Sequence, residues 1–172
     1  MNIEKTKIPG VIILNPTKFV DNRGYFTKLF DINISDSLKY KIKEINSSYT
    51  KKKGTIRGMH LQGGNMQQDK IVQCVKGSIY DVAIDLRESS PTYKQWVAEE
   101  LSGTKMLLVP KGCAHGFQSL EDDVIIQYFV SEHYDKESEY GVRYNDPAFN
   151  VEWKIEDIFT SEKDAKWAYW NK

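Results

Sequence analysis

Short apolar segments recur at close intervals along the chain, and turn residues separate them. Clear examples are "KIVQCV", "SIYDVAIDL", "KMLLVP" and "DVIIQYFV". Each is long enough for a strand but too short for a typical amphipathic helix. Lys76 and Gly77 lie between the first two segments and predict a hairpin turn. So many short strands predict an antiparallel sandwich or barrel, with a jelly roll among the main candidates.

Only two segments have a helical pattern. The first covers residues 34–42, and the second is "SEKDAKWAYW", in which Ser161 and Asp164 have the spacing of a capping box. No internal repeat, low-complexity tract or linker divides the 172 residues, so one domain over 1–172 is expected. The sequence therefore predicts an all-β fold with one or two short peripheral helices.

Charge, apolar run length and cysteine placement together argue against several classes of partner and location. The chain has 24 basic and 24 acidic residues, whereas a nucleic-acid-binding protein is expected to carry a basic excess. No apolar run is long enough to span a membrane, and no signal-like N-terminus is present. Cys74 and Cys113 are widely separated in apolar surroundings, as expected of reduced, buried thiols. We expect a cytoplasmic protein that binds neither nucleic acid nor membrane.

His60, in "GTIRGMHLQ", is the first candidate for chemistry. Many metal-binding sandwich proteins use a His-x-His pair, but the second position here is Gln62. The strand parity of His133 also does not favour a site with three nitrogen ligands. We therefore expect no metal site, and a histidine near carboxylates is better suited to proton transfer.

Tyr128 and Tyr134 alternate onto one face of the predicted strand at 124–134. Two interpretations follow from this pattern. Both tyrosines could lie in the core with their hydroxyls bonded to backbone, or one could be an acid or base in a cavity. Periodicity alone favours the first interpretation.

A set of motifs occurs in order across residues 8–155 and again near the end of the chain. They are "FVDNRGYF", "TIRGMHLQ", "DKIVQCVKGSIYDVAIDLRESSPTY", "QWVAEELS", "VPKGCAHGFQSLEDD", "YGVRYNDPAFNVEW" and "SEKDA". Together they resemble the dTDP-4-dehydrorhamnose 3,5-epimerase family. The resemblance implies a cupin-type jelly roll, a homodimer, and a reaction without a metal or redox cofactor.

The resemblance also implies catalytic roles for four residues. His60 corresponds to the base, paired with Asp164, and Tyr128 to the acid on the opposite face of the sugar. Lys70 corresponds to the lysine whose charge stabilises the enolate oxygen. These residue types suit epimerisation, because the C–H bonds next to a 4-keto group are acidic and need a base and an opposing acid.

The same resemblance implies a set of substrate-binding residues. Arg23 and Arg57 correspond to arginines that hold the diphosphate, a role that suits guanidinium geometry. The remaining positions are aromatics near the base, Tyr25 and Phe26, and residues lining the sugar pocket, His115, Asp81, Tyr134 and Glu139.

Two positions depart from the family pattern where it recognises the nucleotide base. Lys28 stands where the family has an acidic residue, and Glu44 replaces the glutamine of a Gln-x-Asn element that ends here at Asn46. A carboxylate only accepts hydrogen bonds and a lysine only donates them, so the pattern offered to the base changes. These departures predict a GDP-linked substrate, with a dTDP-linked sugar as the alternative. The further changes at Met59, Leu61 and Tyr144 would suit a larger sugar such as a heptose.

Three further questions stay open at the level of sequence. Epimerisation is favoured over ketoisomerisation because His60 and Tyr128 are both present, but inversion of one carbon or two is not fixed. A cupin that only binds a sugar nucleotide is a less favoured alternative, and a metal-dependent dioxygenase is disfavoured by Gln62. We expect the product to serve surface polysaccharide or capsule biosynthesis.

Overall fold

The computed structural model describes residues 1–170, apart from the side chains of Ile32, Ser35 and Ser37. Residues 171 and 172, which the predicted single domain includes, lie outside the described part of the chain. The strands are β1 (Asn2–Lys5), β2 (Ile12–Asn15), β3 (Lys18–Asp21), β4 (Gly24–Thr27), β5 (Glu44–Thr50), β6 (Thr55–Gln62), β7 (Lys70–Lys76), β8 (Ser78–Asp85), β9 (Trp96–Ser102), β10 (Met106–Val109), β11 (Cys113–Ser119), β12 (Val124–Val130), β13 (Glu139–Gly141) and β14 (Phe159–Thr160).

These strands form two large sheets and a separate hairpin. The first sheet has the order β1-β2-β10-β7-β12-β5, and the second has the order β13-β6-β11-β8-β9 with β14 beside β6. Every pairing is antiparallel except that of β14 with β6. The fold is a cupin-like jelly roll, so the predicted all-β class is confirmed.

Apolar side chains from both sheets meet in the space between them. Val72 and Ile126 come from the first sheet, while Ile79, Ala83 and Phe117 come from the second, and all five are buried in one cluster. Period-two alternation directs these residues inward on every strand. This core holds the two sheets together and leaves room for a cavity towards β5 and β6.

The outer face of the second sheet is covered as well. Tyr80, Val82 and Ile84 of β8 form a second buried cluster with residues that follow β13, including Val142 and Phe149. The alternating apolar face of β8 is therefore buried, as its pattern indicates. The opposite face is buried too, because it lies between the sheets.

The predicted hairpin at Lys76 and Gly77 is wrong. Strands β7 and β8 belong to different sheets, so the turn carries the chain from one sheet to the other. Gly77 has φ +78°, and a Cβ there would lie 2.9 Å from a methyl carbon of Val124. Lys76 and Gly77 do form a turn, as predicted, but the residues of a turn do not determine which strands pair.

The two short helices lie at the periphery. Helix α1 (Ile32–Leu38) begins and ends earlier than the predicted segment 34–42, and its first turn is capped by Asp31, whose Oδ1 accepts from the Ile34 amide at 3.0 Å. Helix α2 (Glu162–Ala165) begins after Ser161, whose side chain accepts from the Asp164 amide, as the capping pattern predicts. Within residues 1–170 no helix has the length and apolar character needed to span a membrane.

Candidate active site

A cavity of about 530 Å³ opens between the two sheets. Strands β5, β7 and β12 contribute one wall, while β6 and β11 contribute the other, with α2 at the side. Volumes of this size are typical of pockets that bind small molecules. The lining includes ten of the residues predicted from sequence: Glu44, Asn46, Arg57, His60, Lys70, His115, Tyr128, Tyr134, Glu139 and Asp164.

His60 and Asp164 form a hydrogen-bonded pair, although they are 104 residues apart. His60 Nε2 lies 2.7 Å from Asp164 Oδ1, and Asp164 Oδ2 accepts from the Gly58 amide at 3.2 Å. Burial raises the pKa of the Asp164 carboxyl, but His60 and the Gly58 amide outweigh this and hold the pKa below its usual value. An ionised carboxylate at Nε2 leaves Nδ1 of the neutral imidazole free to accept a proton.

His115 and Asp81 form a second pair beside the first. His115 is the cross-strand neighbour of His60, and its Nε2 lies 2.8 Å from Oδ1 of the fully buried Asp81. Asp81 therefore lies behind His115 and does not line the cavity itself. Its carboxylate fixes the orientation of the His115 ring, which does line the cavity.

Tyr128 and Lys70 approach the cavity from the opposite wall. Burial raises the pKa of the Tyr128 hydroxyl, with Arg57 opposing the rise, so the phenol keeps its proton at neutral pH. Removal of the Lys70 ammonium from water by the surrounding protein lowers its pKa to about 8, although the negative charges of Glu139 and Asp81 act to raise it. A protonated phenol and a cation thus face His60 across the cavity.

A charged cluster closes one side of the cavity. Glu139 Oε2 accepts from the Tyr134 hydroxyl at 2.9 Å and from Lys163 Nζ at 2.5 Å. Burial raises the pKa of Glu139, but these two contacts outweigh it and the pKa lies below its ordinary value. Tyr134 lines the cavity although β12 ends at Val130, so the prediction that it continues the strand of Tyr128 is wrong.

Glu44 is engaged in contacts within the protein. Its Oε1 lies 2.7 Å from His133 Nδ1, and its Oε2 accepts from Asn46 Nδ2 at 3.5 Å. The hydrogen bond from His133 is the main reason that the pKa of Glu44 is lowered. The acceptor atoms predicted to read a guanine therefore already have partners.

Arg57 lies at the edge of the cavity and connects the two sheets. Its Nε donates to Thr50 Oγ1 at 3.0 Å, and its Nη2 donates to the Tyr49 carbonyl at 2.9 Å. The guanidinium of this β6 residue is thus fixed against β5. A fixed, exposed guanidinium can hold an anionic group.

Besides Asp81, four predicted binding residues do not line the cavity of their own chain. Arg23, Tyr25 and Phe26 lie on the exposed β3–β4 hairpin or its turn, and Lys28 directly follows it. Arg23 pairs with Asp21 at 2.7 Å, and Lys28 pairs with Asp31 at 3.0 Å. The structure does not bring these side chains together with His60.

Sequence reasoning missed several lining residues. Ser161, the residue before α2, and Lys163 within it both precede Asp164, and Gln68 lies two residues before Lys70. Lys163 directly precedes Asp164 in the "SEKDA" motif, but neighbouring side chains of a helix point in different directions, so the motif does not by itself predict that Lys163 reaches the cavity. Gln62 also lines the cavity, but its amide nitrogen donates to the backbone carbonyls of Met66 and His133, at 2.7 and 3.0 Å.

Among residues 1–170, no three His, Cys, Asp or Glu side chains are grouped so that they could hold a metal ion. Each of the two histidines in the cavity instead bonds a carboxylate. The site thus combines a histidine–carboxylate pair, a phenol and a lysine, which is the equipment of a proton-transfer enzyme acting beside a carbonyl group.

Comparisons with known proteins agree with this class of site. The family model for dTDP-4-dehydrorhamnose 3,5-epimerase matches residues 5–172. The enzyme of that name from Shigella flexneri is 38% identical over 168 residues, which cover 95% of this chain and 93% of the relative.

Solved structures agree as well. A dTDP-4-dehydrorhamnose 3,5-epimerase from Bacillus anthracis, with TDP and PPi bound, superposes with a TM-score of 0.94 at 36% identity and covers 98% of this chain and 99% of that one. The dTDP-6-deoxy-D-glucose-3,5-epimerase of Legionella pneumophila, in complex with dTDP-4-keto-L-rhamnose, gives 0.91 at 34% identity, covering 98% and 92%.

Fold and site together define an enzyme that epimerises a nucleotide-linked 4-keto sugar. The chain belongs to the dTDP-4-dehydrorhamnose 3,5-epimerase family.

Proposed function

We propose that the enzyme epimerises a dTDP-linked 4-keto-6-deoxy sugar next to its ketone. His60, paired with Asp164, removes the proton, and Tyr128 returns one to the opposite face. The observation that carries this proposal is the placement of His60 and Tyr128 on opposite walls of one cavity. A ring bound between them has one group on each face, which is what inversion of a carbon requires.

Lys70 is proposed to stabilise the enolate. Its ammonium is charged below its pKa of about 8, and it lines the same cavity as the base and the acid. A positive charge that is already positioned beside the ketone stabilises developing negative charge on oxygen more strongly than mobile water does. Base, acid and cation are all amino-acid side chains, so we propose that the reaction needs no metal or redox cofactor.

The nucleotide proposal replaces the GDP-linked heptose favoured by the sequence. Lys28 lies outside the cavity lining, and both carboxylate oxygens of Glu44 have partners. The two departures from the family pattern therefore do not form a guanine site within this chain. The named relatives act on dTDP sugars or hold TDP, which supports dTDP as the nucleotide.

We also propose a homodimer. The β3–β4 hairpin exposes Phe19, Val20, Tyr25 and Phe26, each more than half exposed. Such a patch on a thin hairpin is typical of an interaction surface. If a second copy covers this patch, Arg23 of the hairpin would also lie near the cavity of that second copy. A cytoplasmic location and a role in surface polysaccharide biosynthesis stay predictions.

Deuterium exchange tests the chemistry. In deuterated water the enzyme should introduce deuterium at C3, C5 or both of a dTDP-4-keto-6-deoxy sugar, detected by NMR. His60→Asn should abolish exchange, because the base is lost. Tyr128→Phe should retain part of the exchange and lose net inversion, because only protonation of the opposite face fails.

Controls and contrary outcomes are clear. Tyr169→Phe removes a phenol that lies outside the cavity lining and should invert the sugar at the wild-type rate. Exchange by His60→Asn at the wild-type rate would show that the base is another residue. Faster turnover of the GDP-linked than of the dTDP-linked sugar would overturn the nucleotide proposal.

A further inference from the structure

Trp167 follows Asp164 by three residues, and its indole lies beside the imidazole of His60. The ring centroids are 6.0 Å apart and the planes are inclined by 65°, an edge-to-face arrangement that aromatic pairs favour. Trp167 does not line the cavity, so it meets His60 without facing the substrate. We propose that Trp167 is a positioning residue, which holds the His60 ring in the orientation that bonds Asp164 and faces the cavity.

Both the backbone and the indole of Trp167 are held in place. Arg143 Nε donates to the Trp167 carbonyl at 2.5 Å. Gly141 is the cross-strand neighbour of His60 on β13, and a Cβ at this glycine would lie only 2.8 Å from Trp167 Cε2. The indole therefore packs directly on the backbone of the strand next to His60.

The polar atom of Trp167 indicates that contact by the ring is what matters. Its Nε1 is buried and has no hydrogen-bond partner within the described residues. A buried indole nitrogen normally finds a partner, and leaving it without one is unfavourable. A phenyl ring could supply the same contact without that cost. The proposal thus distinguishes an aromatic replacement from an aliphatic or small one.

The effect on catalysis follows from the position of the indole. Asp164 and Trp167 lie on the same short segment, so one holds Nε2 of His60 while the other limits rotation of the ring. Without the indole, the imidazole can turn and water can approach the Asp164 bond. A base displaced by about 1 Å can lose on the order of a hundredfold in rate, while substrate binding is unchanged because Trp167 does not touch the substrate.

The test compares three replacements under steady-state conditions with a dTDP-4-keto-6-deoxy sugar. Trp167→Ala and Trp167→Leu should each lower kcat about tenfold or more and leave KM within about twofold. Trp167→Phe should restore kcat to within about threefold of the wild type. Thermal unfolding of every variant shows that the folded enzyme is being assayed.

A matched control separates positioning from general packing. Trp153 is a half-buried indole that packs against Tyr80 and does not line the cavity. Trp153→Ala should lower the melting temperature and leave kcat unchanged. Wild-type kcat in Trp167→Leu, or an equal loss in Trp167→Phe and Trp167→Leu, would overturn the proposal.

The inference rests on the proposed role of His60 as the base, and the two can fail separately. If the wild type incorporates no deuterium, or His60→Asn incorporates it normally, the proposed function is at fault. If the wild type exchanges, His60→Asn does not, and Trp167→Leu exchanges at the wild-type rate, only the role of Trp167 is wrong.

Discussion

At the scale of single residues, Lys70 links the environment of the cavity to the pH at which the enzyme works. The surrounding protein lowers its pKa to about 8, while the pKa of Tyr128 is raised. As pH rises, Lys70 therefore loses its proton before Tyr128 does. The enolate would then form without its counter-charge.

We accordingly predict that kcat/KM declines above about pH 8 as Lys70 becomes neutral, since this parameter reports the pKa values of the free enzyme. Lys70→Arg should move the decline to higher pH, because a guanidinium stays charged. Lys70→Met should lower kcat on the order of a hundredfold at pH 7. Initial rates from pH 6 to 10 check both, and an unchanged alkaline decline in Lys70→Arg would exclude Lys70 as its cause.

At the scale of elements, the pairing of β6 with β11 places His60 next to His115, and this pairing depends on Gly58. Gly58 has φ +135°, and a Cβ there would lie 2.5 Å from the Gly116 Cα. Its amide also donates to Asp164. One glycine thus permits the close approach of two strands and helps to hold the carboxylate.

Gly58→Ala should therefore lower the free energy of unfolding by about 1–3 kcal/mol more than Gly24→Ala does, because overpacking is added to an unfavourable φ. Gly24 is a matched control, since its φ is +133° and, among the described residues other than its two neighbours in the chain, no atom would lie within 4 Å of a Cβ at this position. Urea denaturation measures both variants. Equal losses would show that the contact with Gly116 is tolerated.

The elements also show what sequence could predict. Alternation located β8 and β12, and the capping pattern located α2, because these signals are local. The partner of β7 could not be read from Lys76 and Gly77, since the same turn suits a hairpin or a crossover between sheets. Likewise, the alternating pattern predicts that Tyr128 and Tyr134 share one face of a single strand. Both side chains do line the cavity, but β12 ends at Val130, so Tyr134 reaches it from the segment that follows the strand.

At the scale of the whole molecule, the position of the exposed β3–β4 hairpin bears on whether a single chain supplies every residue of the predicted site. The resemblance identified Arg23 and Phe26 as site residues, but only the structure shows that they lie outside the cavity lining of their own chain. Conversely, the resemblance identified His60 and Asp164 correctly as neighbours, which no periodicity could predict across 104 residues.

We predict a dimer in sedimentation velocity at micromolar concentration, and Val20→Asp should shift it towards monomer and lower turnover. Val20 is 76% exposed on β3, and a charge there disfavours burial against another chain. Tyr169→Asp, which charges an exposed aromatic position outside the hairpin, is the control and should stay dimeric. A monomeric wild type with full activity would contradict the prediction.

The attachment of Asp164 has one further consequence. This carboxylate lies on a helix of four residues that follows a strand of two, whereas His60 lies within an eight-residue strand paired on both sides. Short peripheral segments open at lower free energy than the sheets they flank. Gentle heating should therefore abolish turnover while the far-ultraviolet circular dichroism spectrum is still that of the native protein, and cooling should restore turnover. Residual activity is thus a measure of how firmly helix α2 is seated, and protein yield or secondary structure alone would overestimate the fraction of competent enzyme.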